Sequence, residues 1–142
     1  MIKLIIICLF LILNSCSSFK KDVVDCPKVI TPKKASETLV ESENNSLVYI
    51  GFRGVKTYCV KNNDYIEMEI SVNVRAIRKE TKSEDFVPVN ISVVSTDLNN
   101  KEYDRDGLEY SQFLLKGSKI VDRETTFDIK IPNLGEVFLG IR

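Results

Sequence analysis

The four cysteines, at positions 8, 16, 26 and 59, are the most reactive side chains of this chain, and no histidine stands anywhere with them. A thiol can be acylated, oxidised to a disulfide or used as a metal ligand. Metal binding is disfavoured, because Cys26 and Cys59 lack the CxxC spacing and no histidine completes a set of four ligands. Missing histidine also removes the side chain most used for proton transfer near neutral pH, and with it most hydrolase and metalloenzyme mechanisms. Glu102, Asp104 and Asp106 followed by Gly107 place oxygen ligands at alternate positions, as in a Ca²⁺-binding loop. Counted from Glu102 the closing twelfth position is Phe113, and Arg105 sits among the ligands, so a solvated turn is the better reading. Glu67 and Glu69 share a strand face and could suggest glycoside chemistry, but alternation of a wet face accounts for them. No Gly-x-Ser-x-Gly is present. No catalytic residue, cofactor or metal is expected.

Charge narrows the partners. Twenty Lys and Arg balance twenty Asp and Glu, so no net field draws the chain to nucleic acid. Five tyrosines remain as possible contact groups. Of these Tyr65, Tyr103 and Tyr110 are the candidates for a partner surface, provided that they are exposed and contiguous.

Lys3 is followed by ten apolar residues, 4–13, and then by Asn14, Ser15 and Cys16. This is the layout of a signal peptide, and ten residues of helix are too short to span a bilayer. Leu13, Ser15 and Cys16 resemble the lipobox of bacterial lipoproteins; Asn14 departs from the small residue usual there. The resemblance implies cleavage between Ser15 and Cys16 and acylation of the Cys16 thiol, so that membrane lipid becomes a partner through the anchor. An ordinary secretory signal, with Cys16 lost or incidental, is the alternative. Ser17, in place of a retaining Asp, leans by the same resemblance toward the outer membrane, facing the periplasm.

Once Cys8 leaves with the leader and Cys16 is acylated, Cys26 and Cys59 remain. An even remainder in an oxidising compartment reads as one disulfide, with two buried thiols as the alternative. The expected organisation is a signal peptide over 1–15, a lipidated Cys and flexible tether over 16–28, and one folded domain over 29–142.

The elements of that domain follow from period. In residues 65–78, Ile66, Met68, Ile70, Val72, Val74 and Ala76 alternate with polar neighbours, which predicts a long strand with one buried face. Asn62, Asn63 and Asp64 before it suit a hairpin turn back to 57–60. Alternation recurs in 47–55, 86–94, 108–115, 125–131 and 135–142, with a turn at 97–100. Residues 31–45 are polar and less decided: Ser36 followed by residues 37–41 could start one or two helical turns, but the length is marginal for a helix. About seven strands with these turn intervals predict an all-β antiparallel sandwich, immunoglobulin-like or fibronectin-like, with a closed barrel as the alternative.

The order of a lipobox, Cys26-Pro27, a strand ending Gly51-x-x-Gly54-Val55, Cys59, a long alternating strand, Phe86-Val87-Pro88-Val89 and a final Gly140-Ile141-Arg142 resembles a family of small uncharacterised lipoproteins of alphaproteobacteria. The resemblance implies an exported β-rich domain with paired cysteines and carries over no activity. The expectation is therefore a non-catalytic interaction or structural module of the cell envelope, meeting an envelope protein or polymer. The alternative is a periplasmic ligand-binding protein or envelope enzyme with a carboxylate or Tyr site, recognisable by a deep pocket with convergent polar groups.

Overall fold

The structure, a computed structural model, describes residues 21–142. The expected signal peptide with Ser15, and Cys16 as the expected site of acylation, lie outside the described residues. Among the described residues nine strands form: β1 (Asp22–Val23), β2 (Val29–Ile30), β3 (Glu37–Glu41), β4 (Leu47–Lys61), β5 (Tyr65–Arg78), β6 (Asp85–Thr96), β7 (Glu102–Leu114), β8 (Ile120–Pro132) and β9 (Glu136–Ile141). One sheet runs β1-β4-β5-β8, with β3 also on the outer edge of β4; the other runs β2-β9-β6-β7. They pack face to face as a sandwich and not as a barrel.

The alternation of β5 does what its sequence predicts. Its even positions are buried from Met68 to Arg78 and its odd positions face out. β5 is the centre of the first sheet, paired antiparallel with β4 and β8 along nearly its whole length. Ile70, Val72, Phe127 and Ile129 from this sheet meet Val87, Ile91, Val93, Leu114 and Leu139 from the other, all nearly solvent-free. Each such side chain contributes about 1.5–3 kcal/mol by leaving water. β4-β5, then β6-β7, then β8, then β9 alternate between the sheets, a Greek-key order of the immunoglobulin type. The edge of β9, where a last strand would run antiparallel, is taken by β2 running parallel.

Several expectations are corrected. Residues 47–55 and 57–60 are one strand, because a bulge between Phe52 and Gly54 shifts the inward parity without ending the pairing. Residues 37–41 are not helical: a 3-10 turn at Lys33–Ala35 leads into β3, whose five residues pair with Glu41↔Leu47 through Glu37↔Gly51. A helix there would leave the upper edge of β4 open. The segment from Glu102 to Gly107 is neither a Ca²⁺ loop nor a turn, since it lies within β7 and pairs with β6. The tether does not extend to residue 28. Asp22 and Val23 pair with Lys61 and Val60, and the Val24 amide donates to the Cys59 carbonyl at 3.1 Å. With β2 on the edge of β9 as a further addition, nine strands stand among the described residues where about seven were expected.

β5 is 14 residues long, about 45 Å, so the sandwich has two well-separated ends. The near end, where the chain joins the sheet at Asp22, carries the β4-β5, β6-β7 and β8-β9 turns. The far end carries the β3-β4, β5-β6 and β7-β8 loops.

Candidate functional site

Three features are candidates: the stapled N-terminal segment, a groove near it, and the outer face of the β3-β4-β5-β8 sheet. The N-terminal segment of the described residues is held by a disulfide between Cys26 and Cys59, whose Cα atoms are 5.3 Å apart. Cys59 is buried, and Cys26 packs against the core. The pairing expected from the cysteine count is therefore present, and it ties the incoming chain to the strand beside the central β5.

Register places the outward side chains of the first sheet in rows across β4, β5 and β8. Val60, Glu67 and Lys130 form one row, and Tyr58, Glu69 and Asp128 the next. With Lys21 they line a shallow groove of about 260 Å³ near the N-terminal segment. Glu67 and Glu69 do share a face, as the alternation predicts. Glu67 accepts from the Asn62 amide at 3.2 Å, and the Lys130 ammonium lies 5.3 Å from the centre of the Tyr65 ring. Among the described residues no three His, Cys, Asp or Glu side chains are gathered to hold a metal. A second shallow hollow of about 510 Å³ runs along the β4-β5 turn, lined by Asp25, Asn63, Asp64 and Tyr65. Both open broadly to solvent.

Toward the far end Arg75 holds the Asp122 carboxylate with two bonds of 2.7 Å. That hydrogen-bonded guanidinium keeps the Asp122 carboxyl below the usual carboxylate range. One row further Leu39, Tyr49, Ile77 and Ile120 stand side by side on β3, β4, β5 and β8. Leu39 is 64% exposed and Ile120 50%. A full row of apolar side chains on the wet face of a sheet has no packing role inside the domain. The Tyr49 hydroxyl donates to Glu37, and this bond to a carboxylate raises the Tyr49 pKa.

The three tyrosines singled out from sequence do not come together. Tyr65 lies on the outer face of the first sheet, opposite Pro132. Tyr103 is the extra residue of a bulge at the start of β7, between Glu102 and Asp104, whereas Tyr110 pairs regularly with Val89 further along the strand. Tyr103 is exposed, while the Tyr110 ring is half-buried under the Arg123 guanidinium at 4.0 Å. Burial raises the Tyr110 pKa, with Arg123 pulling the other way. The apolar row was missed because Leu39 lay in a polar segment of undecided structure and Ile120 ahead of the strand expected at 125. Its four members are neighbours only through register.

No family model matches the chain, and no curated protein or solved structure is significantly similar to it.

Proposed function

We propose that the protein is a lipid-anchored, non-catalytic interaction module of the cell envelope, tethered through acylated Cys16 to the outer membrane and facing the periplasm. The observation that carries this reading is the apolar run ending in Leu13, Ser15 and Cys16, six residues before the chain joins the sandwich at Asp22. Two or three acyl chains on one residue form an anchor that does not leave the bilayer, where one chain would bind marginally. The Cys26–Cys59 bridge supports it, because a covalent staple just after the anchor would transmit any pull on the tether to β4. It also suits an oxidising compartment. The row Leu39, Tyr49, Ile77 and Ile120 favours a protein as the partner over a polysaccharide, since apolar side chains gain from mutual burial. It lies at the end remote from Asp22, and so would face away from the membrane.

Mass spectrometry of the purified mature protein tests the reading. The expected product begins at Cys16 and carries acyl chains, and incorporation of labelled palmitate is lost in Cys16→Ser. A free thiol on Cys16, or a retained leader, overturns it.

A further inference from the structure

At the near end of the sandwich, two leucines stand on neighbouring loop tips. Thr96 and Glu136 are partners across β6 and β9. Leu98 follows Thr96 by two residues and Leu134 precedes Glu136 by two, so both loops project from the same point of the fold. Leu98 is 67% exposed and Leu134 71%. The loops are rigidly built. Asp97 accepts from the amides of Asn99 and Lys101 at 2.8 and 3.0 Å, and the Gly135 amide closes the other turn on the Pro132 carbonyl at 2.9 Å. Gly135 passes so close to the Thr96 carbonyl that an added Cβ would lie 2.5 Å from it, so the two loops lie against each other at a point where no side chain fits.

Leu134 has a φ of 59°. Among the described residues, the other two non-glycine residues in the left-handed region are Asn45 and Asn100, at φ 58° and 59°. Asparagine tolerates that region and leucine resists it. At Leu134 the chain thus accepts both a left-handed backbone and a largely exposed apolar side chain. Val23, on β1 at the same end, is 61% exposed.

We propose that Leu98 and Leu134 insert into the surface of the bilayer that carries the anchor, fixing the sandwich upright on its near end. This rests on the lipid-anchored reading above. From Cys16 to Lys21 the chain reaches at most ~18 Å, and it joins the sheet at the end from which the two leucines project. The near end cannot stray far from the head groups. Charge is not the attraction: Lys61 and Lys101 at this end are outnumbered by Asp64, Asp97 and Glu136. Leucine side chains at the level of the acyl boundary are favoured by apolar burial alone. Upright docking also directs the row of Leu39 and Ile120 away from the membrane.

The chain has no tryptophan, so single Leu98→Trp, Leu134→Trp and, at the far end, Leu115→Trp variants each carry one fluorescent reporter. The mature lipidated proteins are reconstituted into vesicles of phosphatidylethanolamine and phosphatidylglycerol with brominated acyl chains. The expected result is that Leu98→Trp and Leu134→Trp shift to the blue and lose most of their emission, at low and high salt alike. Leu115→Trp keeps its emission. With Val23→Trp as reporter, adding Leu98→Ser and Leu134→Asn restores the emission although the protein still floats with the vesicles. Near-end reporters that stay unquenched on proteins that float overturn the docking and leave the anchor standing. Proteins that do not float overturn the anchor, and the docking with it.

Discussion

The backbone amide of Lys130, on the edge strand of one sheet, donates to the Asp104 carboxylate on the edge strand of the other at 2.7 Å. Two residues away the Asp128 amide donates to Asp106 at 3.0 Å, and the Ser95 hydroxyl donates to the Lys130 carbonyl at 2.6 Å. β8 and β7 are the free edges of their sheets on this side. A free strand edge offers unpaired amides to any passing strand. Here side chains from the facing sheet occupy those amides, so the sandwich is laced along one side without becoming a barrel.

Removing the lacing should open the edge. Asp104→Ala and Asp106→Ala are each expected to lower unfolding free energy by about 1 kcal/mol, measured by urea unfolding. The double variant is expected to self-associate by sedimentation velocity. A double variant as stable and as monomeric as the parent would mean that water replaces the carboxylates at no cost.

Arg78 closes the far end. It is 3% exposed, and its guanidinium donates to the carbonyls of Ser83, Leu114, Leu115 and Ser118 at 2.7 to 3.3 Å. One planar side chain thus satisfies the carbonyls of two loops and a strand end. Arg78→Ala leaves them without a partner and should cost about 3 kcal/mol or more. Arg78→Lys should recover only part of this, since an ammonium cannot span the same fork. Equal stability of Arg78→Lys and the parent would refute that geometry.

Which features were legible in the sequence depended on whether the local pattern carried the tertiary role. β5 is buried on one face along its length, so its period of two was plain from Ile66 to Ala76. β4 was legible only in pieces, because the bulge beside Arg53 flips the parity between Phe52 and Val55. β7 hid its first half for a different reason. Its inward positions there are Asp104 and Asp106, whose partners are amides of a strand more than twenty residues away, so an interior face looked like a charged turn. The disulfide was legible from a count. The apolar row was not, since Leu39 and Ile120 meet in one line only after β3, β4, β5 and β8 are in register.

The Cys26–Cys59 bridge closes a loop of 33 residues. In the chain-entropy account such a closure lowers unfolded-state entropy enough to stabilise the fold by about 3.5–4 kcal/mol. Reduction, or Cys26→Ala with Cys59→Ala, should lower the unfolding free energy by that order and slow the gel mobility of the denatured chain. The loss should appear first as exchange at the amides of residues 22–26, which pairing and the bridge hold against β4. Identical unfolding curves with and without reductant would show that the bridge does not form.

Asp85 supplies the pH dependence. It is 4% exposed, and burial alone would raise its pKa. The Ser42 hydroxyl, the amides of Phe86 and Asn44 at 2.8 and 3.2 Å, and the charge of Arg78 outweigh burial and hold the carboxyl below its ordinary range. The unfolded chain takes up the same proton near the ordinary aspartate value of about 3.9. The native state therefore binds fewer protons than the unfolded state as pH falls through that value, so stability drops with pH. The advantage of the parent over Asp85→Asn should be full from neutrality down to about pH 5, and should shrink below it until the native carboxyl is also protonated. Urea unfolding of both proteins across this range measures the gap. A gap that stays constant down to about pH 2 would mean that the ionised carboxylate contributes no more than the neutral amide does.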